Sequence, residues 1–152
     1  MLPDNEKQYY HNFSGCGNTL NAAHPVTTRF ILDSLRYWVS EMHVDGFRFD
    51  LAAALCRDQN SYIQGFPFLT NAISEDAILG NTKIIAEPWD CGGGYLVGGF
   101  PGGRWSEWND RFRNDIRRFI RGDEGVVTEA ATRIAGSSDI FNHSGRVPSA
   151  SI

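Results

Sequence analysis

Residues 43–52 read HVDGFRFDLA and contain the clearest strand pattern of the sequence. Apolar and charged side chains alternate along the second half of this stretch, in the order Phe47, Arg48, Phe49, Asp50 and Leu51. This period of two predicts a β-strand over residues 44–51, with Arg48 and Asp50 on the same face. The predicted strand therefore ends in a carboxylate.

A second strand is predicted over residues 82–87, where an isoleucine-rich run ends in Glu87. Amphipathic patterns before each strand predict a helix over residues 25–41, opened by a proline, and a short helix over residues 68–78. A helix, a strand, a helix and a strand in this order are typical of an α/β fold with a parallel sheet.

The remainder of the chain is predicted as loop and helix. Residues 91–108 hold seven glycines among aromatic side chains and are predicted to be a long loop. A helix is predicted from Asn109 or Asp110 to Gly122, with Arg111 and Asp115 as an i, i+4 ion pair. A weaker pattern predicts a helix over residues 127–135.

Composition narrows the functional classes. The chain has 152 residues, 41% hydrophobic and 21% charged, which is the size and balance of a packed protein. Its net charge of -4, with no basic stripe, argues against nucleic acid as a partner. No window reaches the ~18 apolar residues of a membrane span, so no membrane role is predicted.

No cofactor or metal is predicted. The three cysteines are widely spaced, and the histidines share no spacing typical of a metal site. The sequence lacks a D-x-D-x-D-G calcium loop, and its glycine-rich stretch has neither the lysine of a phosphate loop nor the order of a dinucleotide site.

The two strand-terminal acids suggest the chemistry. In a (β/α)8 barrel, functional side chains lie at the carboxyl ends of the strands, so Asp50 and Glu87 could meet at one mouth. A pair of carboxyl groups there indicates glycoside hydrolysis, and Arg48 beside Asp50 favours the ionised form of that acid. Either acid alone is equally compatible with a helix cap or a structural ion pair.

The motifs around these acids resemble the second and third conserved regions of glycoside hydrolase family 13. The matching segments are HVDGFRFDLA at residues 43–52 and IAEPWD at residues 85–90. Nearly the whole chain resembles the isoamylase-type debranching group of that family, including SGCGNTLN at residues 14–21, WSEWN at residues 105–109 and RRFI at residues 117–120.

The resemblance implies a retaining hydrolase of α-1,6 branch linkages in amylopectin, glycogen or limit dextrin. Asp50 would be the nucleophile, Glu87 the acid/base, protonated at the start, and Arg48 the group that holds Asp50. A retaining mechanism needs the two carboxyl groups about 5 Å apart.

The resemblance also implies an incomplete barrel. A complete (β/α)8 TIM barrel takes about 250 residues, so residues 1–152 would be a central fragment of the catalytic domain, with roughly strands four to six and their helices. The family's first conserved region and its fourth, a His-Asp pair with a third carboxylate, are not among these residues. We therefore expect the isolated chain to be inactive and prone to aggregate through open strand edges.

Four residues are predicted to contact the glucan: Trp89, Asp90, Tyr95 and Trp105. Flat aromatic rings pack well on sugar faces, and Phe100 and Trp108 share this property. For each aromatic residue, packing in the core is the competing interpretation. Trp89 is favoured because it lies two residues from Glu87.

Two other functions stay open. A branching transglycosylase would use the same two acids, although such enzymes usually follow the glutamate with another acid, where this chain has Pro88. A noncatalytic glucan-binding or isoamylase-like subunit protein is the alternative from a different class. Relatives in plants and algae imply a plastid location, and bacterial relatives imply the cytoplasm.

Overall fold

A computed structural model describes residues 8–141 and has the predicted α/β architecture. Its elements are, in chain order, α1 (Pro25–Ser40), β1 (Gly46–Phe49), a 3-10 helix (Ala52–Cys56), α2 (Phe68–Glu75), β2 (Lys83–Ala86), β3 (Ser106–Glu107), α3 (Asp110–Arg121), α4 (Val127–Ile134) and α5 (Ser138–Phe141). No helix within these residues is long and apolar enough to cross a membrane.

The three strands form one parallel sheet in the order β1-β2-β3. Phe49 pairs with Ala86, and Ala86 pairs with Glu107, so the three strands end at the same level. Because the strands are parallel, the residue after each strand emerges at the same edge of the sheet. This register positions the candidate site.

The predicted helices and both predicted strands are confirmed within a few residues. The prediction of one loop over residues 91–108 is wrong at its end, where Ser106 and Glu107 form β3. A two-residue strand is too short to show a period. The buried Glu107 carboxylate accepts hydrogen bonds from the amides of Gly98 at 2.5 Å and Phe100 at 3.1 Å, which ties the loop to the strand.

The largest fully buried side chain of the core is that of Trp105. Its ring packs edge-on against Phe49 with centroids 4.8 Å apart and lies 5.0 Å from the ring of Phe100. The indole N–H donates to the carbonyl oxygen of Thr70 on α2 at 3.2 Å. This side chain therefore joins the sheet, α2 and the glycine-rich loop.

Helix α3 begins and ends where the sequence predicts. The Asn109 side chain accepts a hydrogen bond from the amide of Phe112 at 3.0 Å, and Gly122 closes the helix with φ of 85°. The predicted Arg111–Asp115 pair does not form. Asp115 instead lies 3.1 Å from the buried Arg133 of α4, because the two helices pack against each other.

Gly46 offers a test of the sheet. A Cβ atom at this position would lie 2.5 Å from the carbonyl oxygen of Lys83 on β2, a contact with backbone that cannot move aside cheaply. We expect Gly46→Ala to lower the free energy of unfolding by about 1–3 kcal/mol through overpacking, measured by chemical or thermal denaturation.

Gly65→Ala is the matched control, because a Cβ atom there meets nothing within 4 Å. Equal stabilities of the two variants would contradict the close approach of β1 and β2.

Candidate active site

Three side chains follow the ends of the three strands: Asp50 after β1, Glu87 after β2 and Trp108 after β3. The ladder continues past the strands, since the Glu87 amide donates to Phe49 O at 3.0 Å and the Trp108 amide donates to Ala86 O at 2.9 Å. The register therefore carries these residues onto one edge of the sheet.

Arg48 joins the two acids. Its Nη1 donates to Asp50 Oδ1 at 2.5 Å, and its Nη2 lies 3.1 Å from Glu87 Oε2. The guanidinium carbon sits 4.0 Å from the centre of the Trp108 ring, in a cation–π contact. One planar cation thus holds both carboxylates and rests on an aromatic face.

The two acids have different surroundings. The Asp50 side chain is 74% exposed, whereas that of Glu87 is 13% exposed. Glu87 Oε2 also accepts the backbone N–H of Leu51 at 2.8 Å, and Leu51 has a left-handed backbone with φ of 44°. A leucine in this conformation is strained, and such strain is concentrated at functional sites.

This arrangement suits chemistry at a single bond. An exposed carboxylate can reach a reacting carbon, while a sheltered carboxyl group held by the backbone can exchange a proton. The shared arginine keeps the two groups close together.

An aromatic hollow lies beside the acids. It is lined by Trp89, Trp108, Asn109, Asp110, Phe112 and Arg113. Trp89 pairs with Tyr95 across a backbone bridge, and the Tyr95 hydroxyl donates to Asp110 Oδ1 at 2.7 Å. Partial burial, together with this hydrogen bond, raises the pKa of Tyr95. Of the four predicted glucan contacts, Trp89 and Tyr95 are thus paired with each other and partly open to solvent.

The other two predicted contacts, Trp105 and Asp90, have buried side chains. Trp105 has no exposed surface, so neither face of its ring can meet a sugar. The Asp90 side chain is also fully buried, with its Oδ2 2.7 Å from Nε of Arg57. Neither side chain is exposed in this structure, because core packing occupies the tryptophan and an ion pair occupies the aspartate.

Sequence reasoning named Trp108 only as a ring that could pack on a sugar, and it did not consider Arg57 for the site. Trp108 follows β3, but the strand-end rule that found the acids could not be applied to it, because two residues show no period. Arg57 has no local signal, since its partner lies 33 residues away along the chain. Among residues 8–141, no group of three or more His, Cys, Asp or Glu side chains could hold a metal ion.

Comparison with known proteins identifies the relatives, although no family model matches the chain. It is 55% identical over 149 residues to "Isoamylase 3, chloroplastic" of Oryza sativa subsp. japonica, covering 97% of this chain and 19% of that protein. It is 51% identical over 144 residues to "Glycogen debranching enzyme" of Escherichia fergusonii, covering 94% and 21%.

A solved structure agrees with these relatives. The pullulanase from Anoxybacillus sp. LM18-11, crystallised with maltotriose, superposes with a TM-score of 0.71 at 28% identity and covers 92% of this chain and 21% of that chain. The present chain therefore spans about a fifth of the length of the proteins it matches.

Over nearly all of its length the chain is similar to proteins named as an isoamylase and a glycogen debranching enzyme. More particularly, it is similar to one section of each of these proteins, which confirms the resemblance inferred from its motifs.

The cysteines give a chemical test of the packing around the acids. Cys56 is fully buried, and burial, with a smaller effect from the charge of Asp90, raises the pKa of its thiol to about 12. Cys16 and Cys91 are exposed. Because the thiolate is the reactive form, we expect iodoacetamide at pH 8 to leave Cys56 unmodified in the folded protein while it alkylates Cys16 and Cys91.

Peptide mass spectrometry would measure the extent of alkylation, with all three cysteines modified in guanidinium chloride as the control. Alkylation of Cys56 at the rate of Cys16 without denaturant would contradict its buried position.

Proposed function

We propose that this segment carries two catalytic carboxyl groups of a retaining hydrolase that cleaves α-1,6 branch linkages in starch or glycogen. One observation carries the proposal: Arg48 bridges Asp50 and Glu87 where two parallel strands end side by side. We further propose that residues 1–152 form the centre of a (β/α)8 barrel, with β1 to β3 as strands four to six.

In the first step, the Asp50 carboxylate attacks the anomeric carbon of the glucosyl unit at the branch. The bond from that carbon to the branch oxygen breaks, and the oxygen takes the proton of Glu87. A covalent glycosyl-Asp50 ester and a free 6-hydroxyl group result. The 74% exposure of Asp50 suits the approach of a bulky polymer.

In the second step, Glu87 accepts a proton from water as the water oxygen attacks the same carbon. The ester bond breaks, Asp50 leaves as a carboxylate, and Glu87 is protonated again. The backbone N–H of Leu51 and Arg48 Nη2 hold the same oxygen of Glu87, which leaves its other oxygen to exchange protons.

Arg48 balances the charge through this cycle. While Asp50 is esterified, its negative charge is lost, and the guanidinium still has Glu87 as an anionic partner. The fork geometry of arginine permits both contacts at once, which a lysine ammonium could not reproduce. The Trp108 ring restrains the guanidinium from its other side.

The choice of substrate follows from the relatives. Their names specify isoamylase and glycogen debranching activity, and the pullulanase holds maltotriose. We infer amylopectin, glycogen and their limit dextrins as the α-glucan partners. By the same comparison, the location would be the plastid in a plant or alga and the cytoplasm in a bacterium.

The two acids can be tested in the complete protein that contains this segment. We expect Asp50→Asn and Glu87→Gln each to lower the rate of reducing-end release from pullulan and amylopectin by about 10²–10⁴-fold, the usual contribution of such groups. Asp45→Asn and Glu75→Gln are matched controls, since Asp45 is an exposed acid just before β1 and Glu75 is an exposed acid at the end of α2. Both variants should retain activity.

The same assay separates the alternatives. A branching transglycosylase would rearrange chains without a matching gain of reducing ends, and a noncatalytic protein would bind glucan while neither acid affects any rate. Full activity of Glu87→Gln would overturn the proposed mechanism.

The isolated 152-residue chain provides a second test. We propose that it hydrolyses neither amylopectin nor pullulan, because two carboxyl groups on three strands cannot enclose the glucan on both sides of an α-1,6 bond. Reducing-end release by the purified chain, absent from its Asp50→Asn variant, would show that these strands suffice.

Trp89 is the best candidate for a sugar platform, since it lines the hollow beside the acids. We expect Trp89→Ala in the complete protein to weaken the binding of maltooligosaccharides about 3- to 10-fold through loss of stacking, measured by calorimetry. Phe30→Ala, which removes an exposed ring on α1, is the control. Unchanged affinity of the Trp89 variant would count against this contact.

A further inference from the structure

We infer that Arg57 and Asp90 are a pair of positioning residues that fix the orientation of Glu87 for proton transfer. The inference rests on the proposed function of Glu87. Neither residue touches the aromatic hollow or the exposed face of Asp50, so their effect would pass through the backbone.

The pair has the geometry of a rigid clamp. Arg57 Nε donates to Asp90 Oδ2 at 2.7 Å, and its Nη2 donates to Oδ1 at 3.1 Å. The Arg57 side chain is 8% exposed and the Asp90 side chain is fully buried. Two parallel hydrogen bonds between opposite charges, shielded from water, restrict both partners to one arrangement.

The pair closes a ring of contacts around Glu87. On one side, Leu51 N donates to the Glu87 side chain and Ala52 N donates to the Glu87 carbonyl oxygen, each at 2.8 Å. The 3-10 helix leads from Ala52 to Arg57, which grips Asp90. Asp90 follows Glu87 by three residues. The segment after β1 therefore holds the segment after β2 at both ends.

Asp90 also shapes the turn that follows Trp89. Its Oδ1 accepts the amides of Gly92 and Gly94, each at 2.8 Å. A Cβ atom on Gly94 would lie 2.8 Å from Asp90 Oδ2, so only glycine fits against the carboxylate there. Oδ1 thus accepts both glycine amides together with Arg57 Nη2, while Oδ2 accepts Arg57 Nε.

A third segment braces the clamp. The Phe13 ring stacks under the guanidinium, with Arg57 Cζ 4.0 Å from its centre. The Phe13 carbonyl oxygen accepts the amide of Cys91 at 2.9 Å, and Arg57 Nη1 donates to Ser61 O at 2.6 Å. Because three loops converge on one ion pair, loss of either charge would loosen all of them together.

The charge state of the clamp is fixed at working pH. Burial raises the pKa of Asp90, but the hydrogen bonds from Arg57, Gly94 and Gly92 lower it by more, so the net shift is downward. Asp90 therefore stays ionised across the neutral range and does not itself exchange protons with substrate. This agrees with a positioning role.

The test uses two substrates that differ in their need for an acid. Departure of a sugar oxygen from pullulan requires a proton from Glu87, whereas fluoride leaves α-maltotriosyl fluoride without one. In the complete protein, we expect Asp90→Asn to lower kcat/KM, which reports formation of the glycosyl ester, about 10- to 100-fold on pullulan and no more than about 3-fold on the fluoride.

The matched control is Asp76→Asn. Asp76 forms an equally close two-bond pair with Arg36 between α1 and α2, at 2.6 and 2.8 Å, away from the acids. We expect Asp76→Asn to lower the free energy of unfolding without changing the ratio of kcat/KM on pullulan to kcat/KM on the fluoride. Arg57→Lys serves as a second clamp variant, because lysine keeps the charge but cannot form both bonds, and it should shift the ratio in the same direction.

Each outcome decides the inference. Equal losses on both substrates for Asp90→Asn and Arg57→Lys would mean that the pair only stabilises the fold. The same change of ratio in Asp76→Asn would mean that the effect is not specific to the Arg57–Asp90 pair. Glu87→Gln is run alongside: if it fails to show the same dependence on the leaving group, the proposed role of Glu87 is overturned separately from the role of the clamp.

Discussion

The site depends on one guanidinium. Two carboxylates on adjacent strand ends would repel each other, and Arg48 offsets this by contacting both from β1 itself. An exposed ion pair contributes little stability, so the value of this contact lies in geometry. The arginine holds an open acid and a sheltered acid in fixed relation, which is the requirement of any reaction that uses two carboxyl groups on one bond.

The surroundings of Arg48 explain why the two acids differ. Parallel pairing brings Asp50 and Glu87 to the same level, but Leu51 then turns back into a left-handed conformation and covers Glu87 with its amide. Asp50 has no such cover. The asymmetry between the acids is thus produced by the backbone of the connecting segment, and the buried Arg57–Asp90 pair holds that segment in place.

The sequence predicts the elements that have a clear period or a cap, such as α1, β1 and α3. It misses β3, because two residues show no alternation, and it cannot separate Trp105 from Trp108. These tryptophans are three positions apart in the same glycine-rich stretch, yet one fills the core and the other stacks on Arg48. The sequence also does not show that Asp90 is buried, since its partner Arg57 is brought to it by tertiary packing.

The alignment of the two acids depends on local strand pairing, whereas a surface for a polymer depends on more distant parts of the fold. Two neighbouring parallel strands suffice to bring Asp50 and Glu87 to the same level, because the register alone sets their positions. Recognition of a polymer needs walls on several sides of the bond, and among the described residues the aromatic hollow beside Trp108 offers one such wall. Under the proposed function, the choice of linkage would therefore depend on surfaces beyond this segment, which spans about a fifth of the length of its relatives.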